Sequence, residues 1–266
     1  MSVAALTVVL YIIIFLFGIV IGSFLNVCIY RIPKKESIVF PHSHCMTCGY
    51  QLRWYDLVPL FSFLFLRGRC RKCHTKLSLQ YPLVEGMNGA LYVIVFLANG
   101  LNYVSVVYCL LTSALIVLSV LDFRTMEIAD GINLFILLLG IAATLLDLHA
   151  WKDHVIGMFS VSVFLLVIYL VTVGRGIGGG DIKLMFGAGL LLGWKGAVLA
   201  FFLGCIIGSV VHLIRMAVSH AEHRLAMGPY LSVGIWLTAL WGTPVIDWYI
   251  GCLLYTSPSP RDGATS

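Results

Sequence analysis

A succession of apolar runs, most of them close to 20 residues long, is the feature that most constrains this chain. A helix needs about 20 predominantly apolar residues to cross the hydrocarbon core of a bilayer. The runs cover residues 6–28, 82–98, 103–121, 132–146, 155–173, 184–192 with an extension towards 199, 200–214 and 231–254. The sequence therefore predicts an all-α fold, a polytopic membrane helix bundle of about eight spans in a lipid bilayer.

The sixth run is the least regular of the eight. It is interrupted by Gly187, Gly189, Gly193 and Gly196, and Lys195 lies near its end. Small residues let helices approach each other closely inside a membrane. We therefore expect a half-helix or a tilted segment that packs against its neighbours at this place in the chain.

Composition supports a membrane protein and excludes two other classes. Hydrophobic residues make up 60% of the chain and charged residues only 11%, whereas soluble domains carry about 25% charged residues. This balance excludes a water-soluble single domain, and it excludes disorder, which needs low hydrophobicity. The formal net charge of +5 is better explained by membrane topology than by nucleic acid, so we expect no nucleic-acid partner.

The distribution of Lys and Arg predicts the orientation of the bundle. Residues 31–80 hold nine of the seventeen, with only Glu36 and Asp56 as acids, so the positive-inside rule predicts that this segment is cytoplasmic. The N-terminus then lies outside, and eight spans place fourteen Lys and Arg inside against three outside. The apolar run of the first span is too long for a cleavable signal peptide, and the positive charges follow the run instead of preceding it, so we expect that it is not cleaved.

Four of the eight cysteines form a pattern that is typical of a metal site. They occur as two CxxC pairs, Cys45 with Cys48 and Cys70 with Cys73. Four thiolates at such spacing suit a structural Zn²⁺, and a reducing cytoplasm argues against disulfides. A thiol redox pair and unliganded cysteines remain the alternatives. The other four cysteines lie singly in apolar spans, as small buried residues do.

Two acids at span ends are the candidates for chemistry. Asp122 ends the third span, and Asp181 opens the sixth span after a glycine cluster, so both are predicted at the cytoplasmic face. Two nearby carboxylates can share one proton, because like charge and partial desolvation separate their pKa values. The charged one can then activate water while the protonated one polarises a peptide carbonyl. The plainer alternative is that each merely caps a helix or is hydrated in a loop.

The order of several motifs resembles that of the type IV prepilin peptidases. The matching segments are GSFLNVCIYRIP at 22–33, the cysteine region from 41 to 73 with WYDLVP at 54–59, YPLVE at 81–85, GGGDIK at 178–183, which contains the family's GxGD motif, and GPYL at 228–231. The resemblance runs in order from about Gly18 to Gly234. It covers most of the chain.

The resemblance implies a membrane aspartic endopeptidase in the bacterial cytoplasmic membrane. Its substrates would be prepilins or pseudopilins, whose short basic leader is cut after a glycine. Asp122 and Asp181 would be the catalytic pair, and Asp130 would be a supporting acid, although Ala129 stands where the family commonly has proline. Gly178, Gly180 and Lys183 would support the pair as parts of the GxGD motif. Many members also methylate the new N-terminus with S-adenosylmethionine, and the long cysteine region makes that activity an expectation here.

Further expectations concern substrate contact and domain boundaries. Glu36, Asp56 and Glu85 could each face the basic leader or be hydrated, and Glu85, at the start of the second span, is the best candidate of the three. No glycine-rich nucleotide loop follows a strand, so the S-adenosylmethionine site is left unassigned. We divide the chain into four parts: a first span (1–30), a cytoplasmic tetra-cysteine zinc domain (31–80), a transmembrane aspartyl peptidase core (81–254) and a flexible tail (255–266) that need not be native.

Other functions fit parts of the pattern. A proton-coupled transporter can use paired acids, but these would lie near the bilayer midplane, and no inverted repeat is visible. A non-catalytic zinc-bearing membrane adaptor would have no use for the GxGD glycines. A presenilin-like protease would cut within the bilayer, and the cysteine region speaks against that activity.

Overall fold

A computed structural model describes residues 2–40, 42–174, 176–218 and 226–255. In these ranges the chain forms eight α-helices and one 3-10 turn, Trp54–Asp56, and its only β-type pairings are two isolated bridges. The helices are α1 (Val3–Arg31), α2 (Phe61–Phe65), α3 (Gln80–Asn99), α4 (Tyr103–Thr125), α5 (Asp130–Leu146), α6 (Trp151–Val171), α7 (Gly179–Val218) and α8 (Gly228–Tyr255). The predicted all-α fold is confirmed.

Local capping explains where several of these helices begin and end. The side chain of Ser2 accepts a hydrogen bond from the N–H of Ala5 and starts α1, and Asn102 does the same for α4 through the N–H of Ser105. Such side-chain acceptors satisfy N–H groups that have no partner within the helix. α4 ends where Met126 adopts a left-handed conformation, so the chain turns directly after the segment that carries Asp122.

Five of the described helices are long and apolar enough to cross a membrane: α1, α3, α4, α6 and α7. α5 is apolar but has only 17 residues. The chain is therefore a multi-pass membrane protein, and the total of eight spans stays a prediction. The predicted tail lies outside the described residues from 256 onwards.

The predicted sixth and seventh spans are joined at a different residue from the one that hydropathy suggests. They occupy the two halves of α7, which is interrupted at Gly193 by a non-helical conformation with φ 72° and ψ 173°. This region of backbone space is essentially open to glycine alone. The chain reverses here, so that residues 194–218 run back antiparallel to α8, with Gly208 near Tyr230 and Gly196 near Thr238. Because a turn needs backbone freedom, the boundary lies at Gly193 and not at 199–200.

The sequence predicts that several helix ends are cytoplasmic. Hydrogen bonds connect these helix ends at one end of the bundle. The Asn26 side chain near the end of α1 donates to the carbonyl of Tyr81 at the start of α3, and Arg124 at the end of α4 bonds Gln80. The Asn133 side chain in α5 donates to the carbonyl of Gly180 in α7 at 3.5 Å. The main hydrophobic core fills the bundle behind this end, centred on α4 and the first half of α7.

Candidate active site and metal centre

Asp122 lies in the last turn of α4 and is held by the start of α8. Its Oδ2 accepts a hydrogen bond of 2.8 Å from the backbone N–H of Gly228, and only 5% of the residue is exposed. A Cβ atom at position 228 would lie 2.6 Å from that oxygen. A side chain at position 228 would therefore force the carboxylate or the start of α8 to move, and the hydrogen bond fixes one oxygen of Asp122.

Asp181 lies in the first turn of α7 and is also buried, with 9% of the residue exposed. Its backbone N–H donates to the carbonyl of Gly178 at 3.2 Å, and its Oδ2 lies 3.2 Å from the place that a Cβ atom would take at Gly178. The carboxylates of Asp122 and Asp181 are near enough to interact electrostatically. The structure thus brings together two acids that are 59 positions apart, counted as 181 minus 122.

The remaining residues of the GxGD motif and the neighbouring acid also lie at this end. A Cβ atom at Gly180 would lie 2.8 Å from the Cβ of Ile128, so the α4–α5 connection packs directly on the motif. Lys183 and Asp130 form an ion pair of 2.6 Å, with 58% and 77% of their side chains exposed. Exposed pairs of this kind contribute little stability. The pair lies on the surface near the two buried aspartates, and its supporting role stays a prediction.

Glu85 is placed by the structure in a contact that the sequence did not predict. Its Oε2 accepts a hydrogen bond of 2.8 Å from the backbone N–H of Leu60, and the residue is only 6% exposed. Leu60 has a positive φ of 58° at the start of α2. Glu85 therefore fastens the cysteine region to α3. Its expected contact with a substrate leader stays a prediction.

The four cysteines of the two CxxC pairs converge on one point. All four sulfur atoms lie within 4.8 Å of one another, and the Sγ atoms of Cys45 and Cys73 are 3.7 Å apart. A tetrahedral Zn²⁺ with Zn–S bonds near 2.3 Å separates its sulfur ligands by about 3.8 Å. The donor set and its spacing therefore fit a closed Zn²⁺ site, which leaves no position for substrate.

Two turns of the same design present these sulfurs. In the first, the N–H of Cys45 donates to the carbonyl of Tyr50 and Gly49 donates back to Cys45; in the second, Cys70 and Thr75 pair in the same way, and His74 takes the place of Gly49. Both Gly49 and His74 have positive φ. The side chain and N–H of Thr75 lower the pKa of the Cys73 thiol to about 6, which favours the thiolate that a metal needs.

A buried acid links the two turns. Asp56 accepts a hydrogen bond from Tyr50 beside the first turn and forms a 2.7 Å ion pair with Arg71 in the second. Burial opposes the charge of Asp56, but the hydrogen bond from Arg71 and that from the N–H of Arg53 outweigh burial and lower its pKa. The sequence left open whether Asp56 faces a substrate or solvent. With 2% of its side chain exposed, it holds the metal-site turns together instead.

The fold and the site define a class of protein. It is a polytopic membrane protein with a pair of buried aspartates at one end of the bundle and a cluster of four cysteines that fits a Zn²⁺ ion. Residues 16–99 match the family model described as the bacterial peptidase A24 N-terminal domain, and residues 109–213 match that of the type IV leader peptidase family. The chain belongs to the type IV leader peptidase family, which confirms the membership that its motifs predicted.

Relatives with the printed name prepilin leader peptidase/N-methyltransferase match almost the whole chain. The protein of Bacillus subtilis (strain 168) is 34% identical and covers 90% of this chain and 97% of its own length. That of Aeromonas salmonicida (strain A449) is 30% identical, with 91% and 94% covered. No solved structure gives a significant match. These matches favour an enzyme over the transporter and the adaptor.

Sequence reasoning missed what holds Asp122. The segment GPYL was recognised as a motif, but its role as the donor to Asp122 was not predicted. The one available signal was a glycine at the start of a span that the sequence predicts to begin at the active-site face. That signal gives a position but no partner, because Gly228 and Asp122 are 106 residues apart.

Proposed function

We propose that this protein is a membrane aspartic endopeptidase that removes the short basic leader from type IV prepilins or pseudopilins and then N-methylates the new N-terminal residue. The proposal is carried by one observation: Asp122 and Asp181, the two acids singled out by the motifs, are both buried and interact at one end of the bundle. The names of its relatives supply the substrate class.

We assign the proton transfers to this pair of carboxyl groups. The ionised member takes a proton from a water molecule, whose oxygen attacks the scissile carbonyl carbon. The protonated member gives its proton to the carbonyl oxygen, so that a neutral tetrahedral diol forms. Collapse of the diol breaks the C–N bond as the proton taken from water passes to the leaving nitrogen. One diol hydroxyl gives its proton to the carboxylate that was protonated at the start, which restores the pair. Gly228 keeps one oxygen of Asp122 in place through both steps.

The position of the pair suits a substrate that is itself anchored in the membrane. A prepilin has one long apolar helix in the bilayer and a leader on the cytoplasmic side, so its scissile bond lies near the membrane surface. Asp122 lies in the last turn of one span and Asp181 in the first turn of another. We propose that both face the cytoplasm from a bacterial cytoplasmic membrane, with the N-terminus outside.

We assign the second activity to the same chain on a different basis. S-adenosylmethionine would supply the methyl group for the N-terminal amine that cleavage exposes. Residues 31–80 would form a cytoplasmic domain held by Zn²⁺ on Cys45, Cys48, Cys70 and Cys73. Since those four sulfurs leave no open ligand position, the metal would stabilise the domain and take no part in peptide hydrolysis.

The test is a cleavage assay on purified protein in nanodiscs, with a prepilin that carries a Gly–Phe junction. Mass spectrometry reports loss of the leader and, with S-adenosylmethionine present, one added methyl group. We expect Asp122→Asn and Asp181→Asn each to lower the cleavage rate by about 10³-fold or more, because each removes a proton-transfer group.

Asp147→Asn is the matched control. Asp147 is exposed at the C-terminal end of α5, and the N-terminal end of this helix lies at the active site. Because the whole helix separates Asp147 from the active site, the variant should cleave at the parental rate. Cleavage that persists in both active-site variants would show that the pair has been assigned wrongly. A folded parent that cleaves no prepilin would contradict the proposed substrate class.

A further inference from the structure

Residues 57–66, between the two CxxC turns, form an apolar segment in which five of the ten residues are exposed. We call residues 57–66 the interfacial segment. It contains no charged residue, and α2 within it has no buried residue. Phe61, Leu64 and Phe65 are 50%, 71% and 86% exposed. In a domain surrounded only by water, such a cluster would be unfavourable, because each exposed ring or aliphatic side chain forgoes burial.

The interfacial segment is fastened to a membrane span. The N–H of Leu60 bonds Glu85, which lies five residues into α3, or about 7.5 Å along its axis. The Cδ2 of Leu60 also lies 4.0 Å from the place of a Cβ atom at Gly86. α3 has 20 residues, about the length that a bilayer core requires, so it would have to enter the bilayer near its first turns. These contacts would then put the segment at the depth of the lipid headgroups and the first acyl carbons.

Its backbone is suited to a place with little water. Hydrogen bonds satisfy the N–H groups of Leu57, Leu60, Phe61, Ser62, Leu64 and Leu66. Backbone groups that enter a membrane need such internal partners, since lipid offers none. The buried carboxylate of Glu85 provides the partner that Leu60 needs, because Leu60 precedes α2 and has no helical carbonyl to bond.

Positive charge follows the segment directly. Residues 57–80 contain no Asp or Glu but hold Arg67, Arg69, Arg71, Lys72 and Lys76. Arg67 and Arg69, which we call the arginine rim, line a cavity of about 440 Å³ together with Phe65, Leu66 and Arg71, whose guanidinium is already paired with Asp56. Guanidinium groups bind phosphate strongly through paired N–H donors. One cavity thus joins an apolar wall to a basic wall whose chemistry suits phosphate.

We propose that this surface rests on the bilayer that holds the protein, with the interfacial segment among the acyl chains and the arginine rim on the phosphates of anionic phospholipids. Apolar and basic side chains at neighbouring positions are what an amphipathic membrane contact needs. A basic prepilin leader is the less suitable occupant, because the arginine rim would repel it. The docking would hold the cysteine region against the membrane surface.

Photocrosslinking of the full-length protein tests the location. Phe65 is replaced by p-benzoylphenylalanine, and the protein is irradiated in nanodiscs of phosphatidylglycerol and phosphatidylcholine. Met46 is the matched position, since it is 59% exposed in the cysteine region but outside the segment, and Phe164 in α6, 53% exposed, is the positive control. Mass spectrometry should find lipid adducts at Phe65 and Phe164 at more than five times the level at Met46.

A second measurement tests the choice of lipid. Native mass spectrometry measures the ratio of phosphatidylglycerol to phosphatidylcholine that the protein retains. Arg67→Gln and Arg69→Gln should each lower this ratio by about fivefold. Glu36→Gln should leave the ratio unchanged. Adducts at Phe65 no more frequent than at Met46 would overturn the proposal. Crosslinking of Phe65 to added prepilin instead of lipid would also overturn it and assign the surface to substrate. Neither readout depends on peptidase activity.

Discussion

At the scale of single residues, the contact between Asp122 and Gly228 carries the sharpest consequence. Gly228→Ala would place a Cβ atom 2.6 Å from Oδ2 and 3.0 Å from Cγ of Asp122, so the carboxylate or the start of α8 must move. A misplacement of about 1 Å at a catalytic group can cost about 10²-fold in rate. We expect a loss of that size in prepilin cleavage, measured as kcat by mass spectrometry.

Gly251→Ala is the control for this substitution. Gly251 is in the same helix and has no atom within 4 Å of an added Cβ, so cleavage should continue at the parental rate. Circular dichroism of both variants should show the same helix content. If Gly228→Ala cleaves as fast as the parent, Gly228 does not position Asp122.

The buried Asp56 gives a second prediction at this scale. Asp56→Asn removes the charge that Arg71 and the N–H of Arg53 bind, and the loss of a charged hydrogen-bond partner costs about 1–3 kcal/mol. The folded-state pKa is lowered, so the stabilisation is present above the ordinary Asp value of about 3.9 and is lost as pH falls through the folded-state value.

The difference in the free energy of unfolding between Asp56→Asn and the parent should therefore stay constant from about pH 5 to 8. Limited proteolysis of the cysteine region measures this difference, and Glu36→Gln, which changes an exposed acid a few residues before that region, is the control. A difference that disappears as the pH is raised within this window would contradict the assigned ion pair.

At the scale of secondary-structure elements, Gly193 decides whether residues 179–218 make one helix or two. Its φ of 72° with ψ 173° costs any other residue about 1–3 kcal/mol, although an added Cβ would meet its first atom only at 3.8 Å. We expect Gly193→Ala to lower the thermal unfolding temperature, followed by circular dichroism, through backbone strain alone. Gly131→Ala, at a helical glycine with no neighbour within 4 Å, should not lower it.

At the scale of the whole molecule, the metal site and the helix bundle should respond differently to loss of metal. The described residues between α1 and α3 form only short elements, so bound Zn²⁺ would contribute much of the stability of this part, whereas the bundle has its own core. We expect chelation, or the double substitution Cys45→Ser with Cys70→Ser, to raise hydrogen exchange in residues 31–80 only, and to lower methylation more than cleavage.

Cys28→Ser and Cys109→Ser, which change cysteines outside the two CxxC pairs, are the controls. If cleavage falls more than methylation, the cysteine region does not serve methylation more than cleavage.

Much of this site could be predicted because its information is local. The CxxC pairs predicted which four cysteines come together, since two residues between them let one turn present both sulfurs. The ends of the apolar runs predicted that Asp122 and Asp181 lie at helix ends. The contacts of Glu85 with Leu60 and of Asp56 with Arg71 could not be predicted, because hydropathy and spacing do not state which distant backbone atom or side chain a carboxylate meets.

The sequence by itself determined that this chain is a helical membrane protein of the type IV leader peptidase family, with a four-cysteine site and two acids at span ends. Each of these properties depends on residues near one another along the chain, through hydropathy or motif spacing. Only the tertiary structure decided that Gly228 holds Asp122, that the chain reverses at Gly193, and that Glu85 fastens the cysteine region to α3. Those contacts depend on how closely helices pack, and packing is a property of the whole bundle.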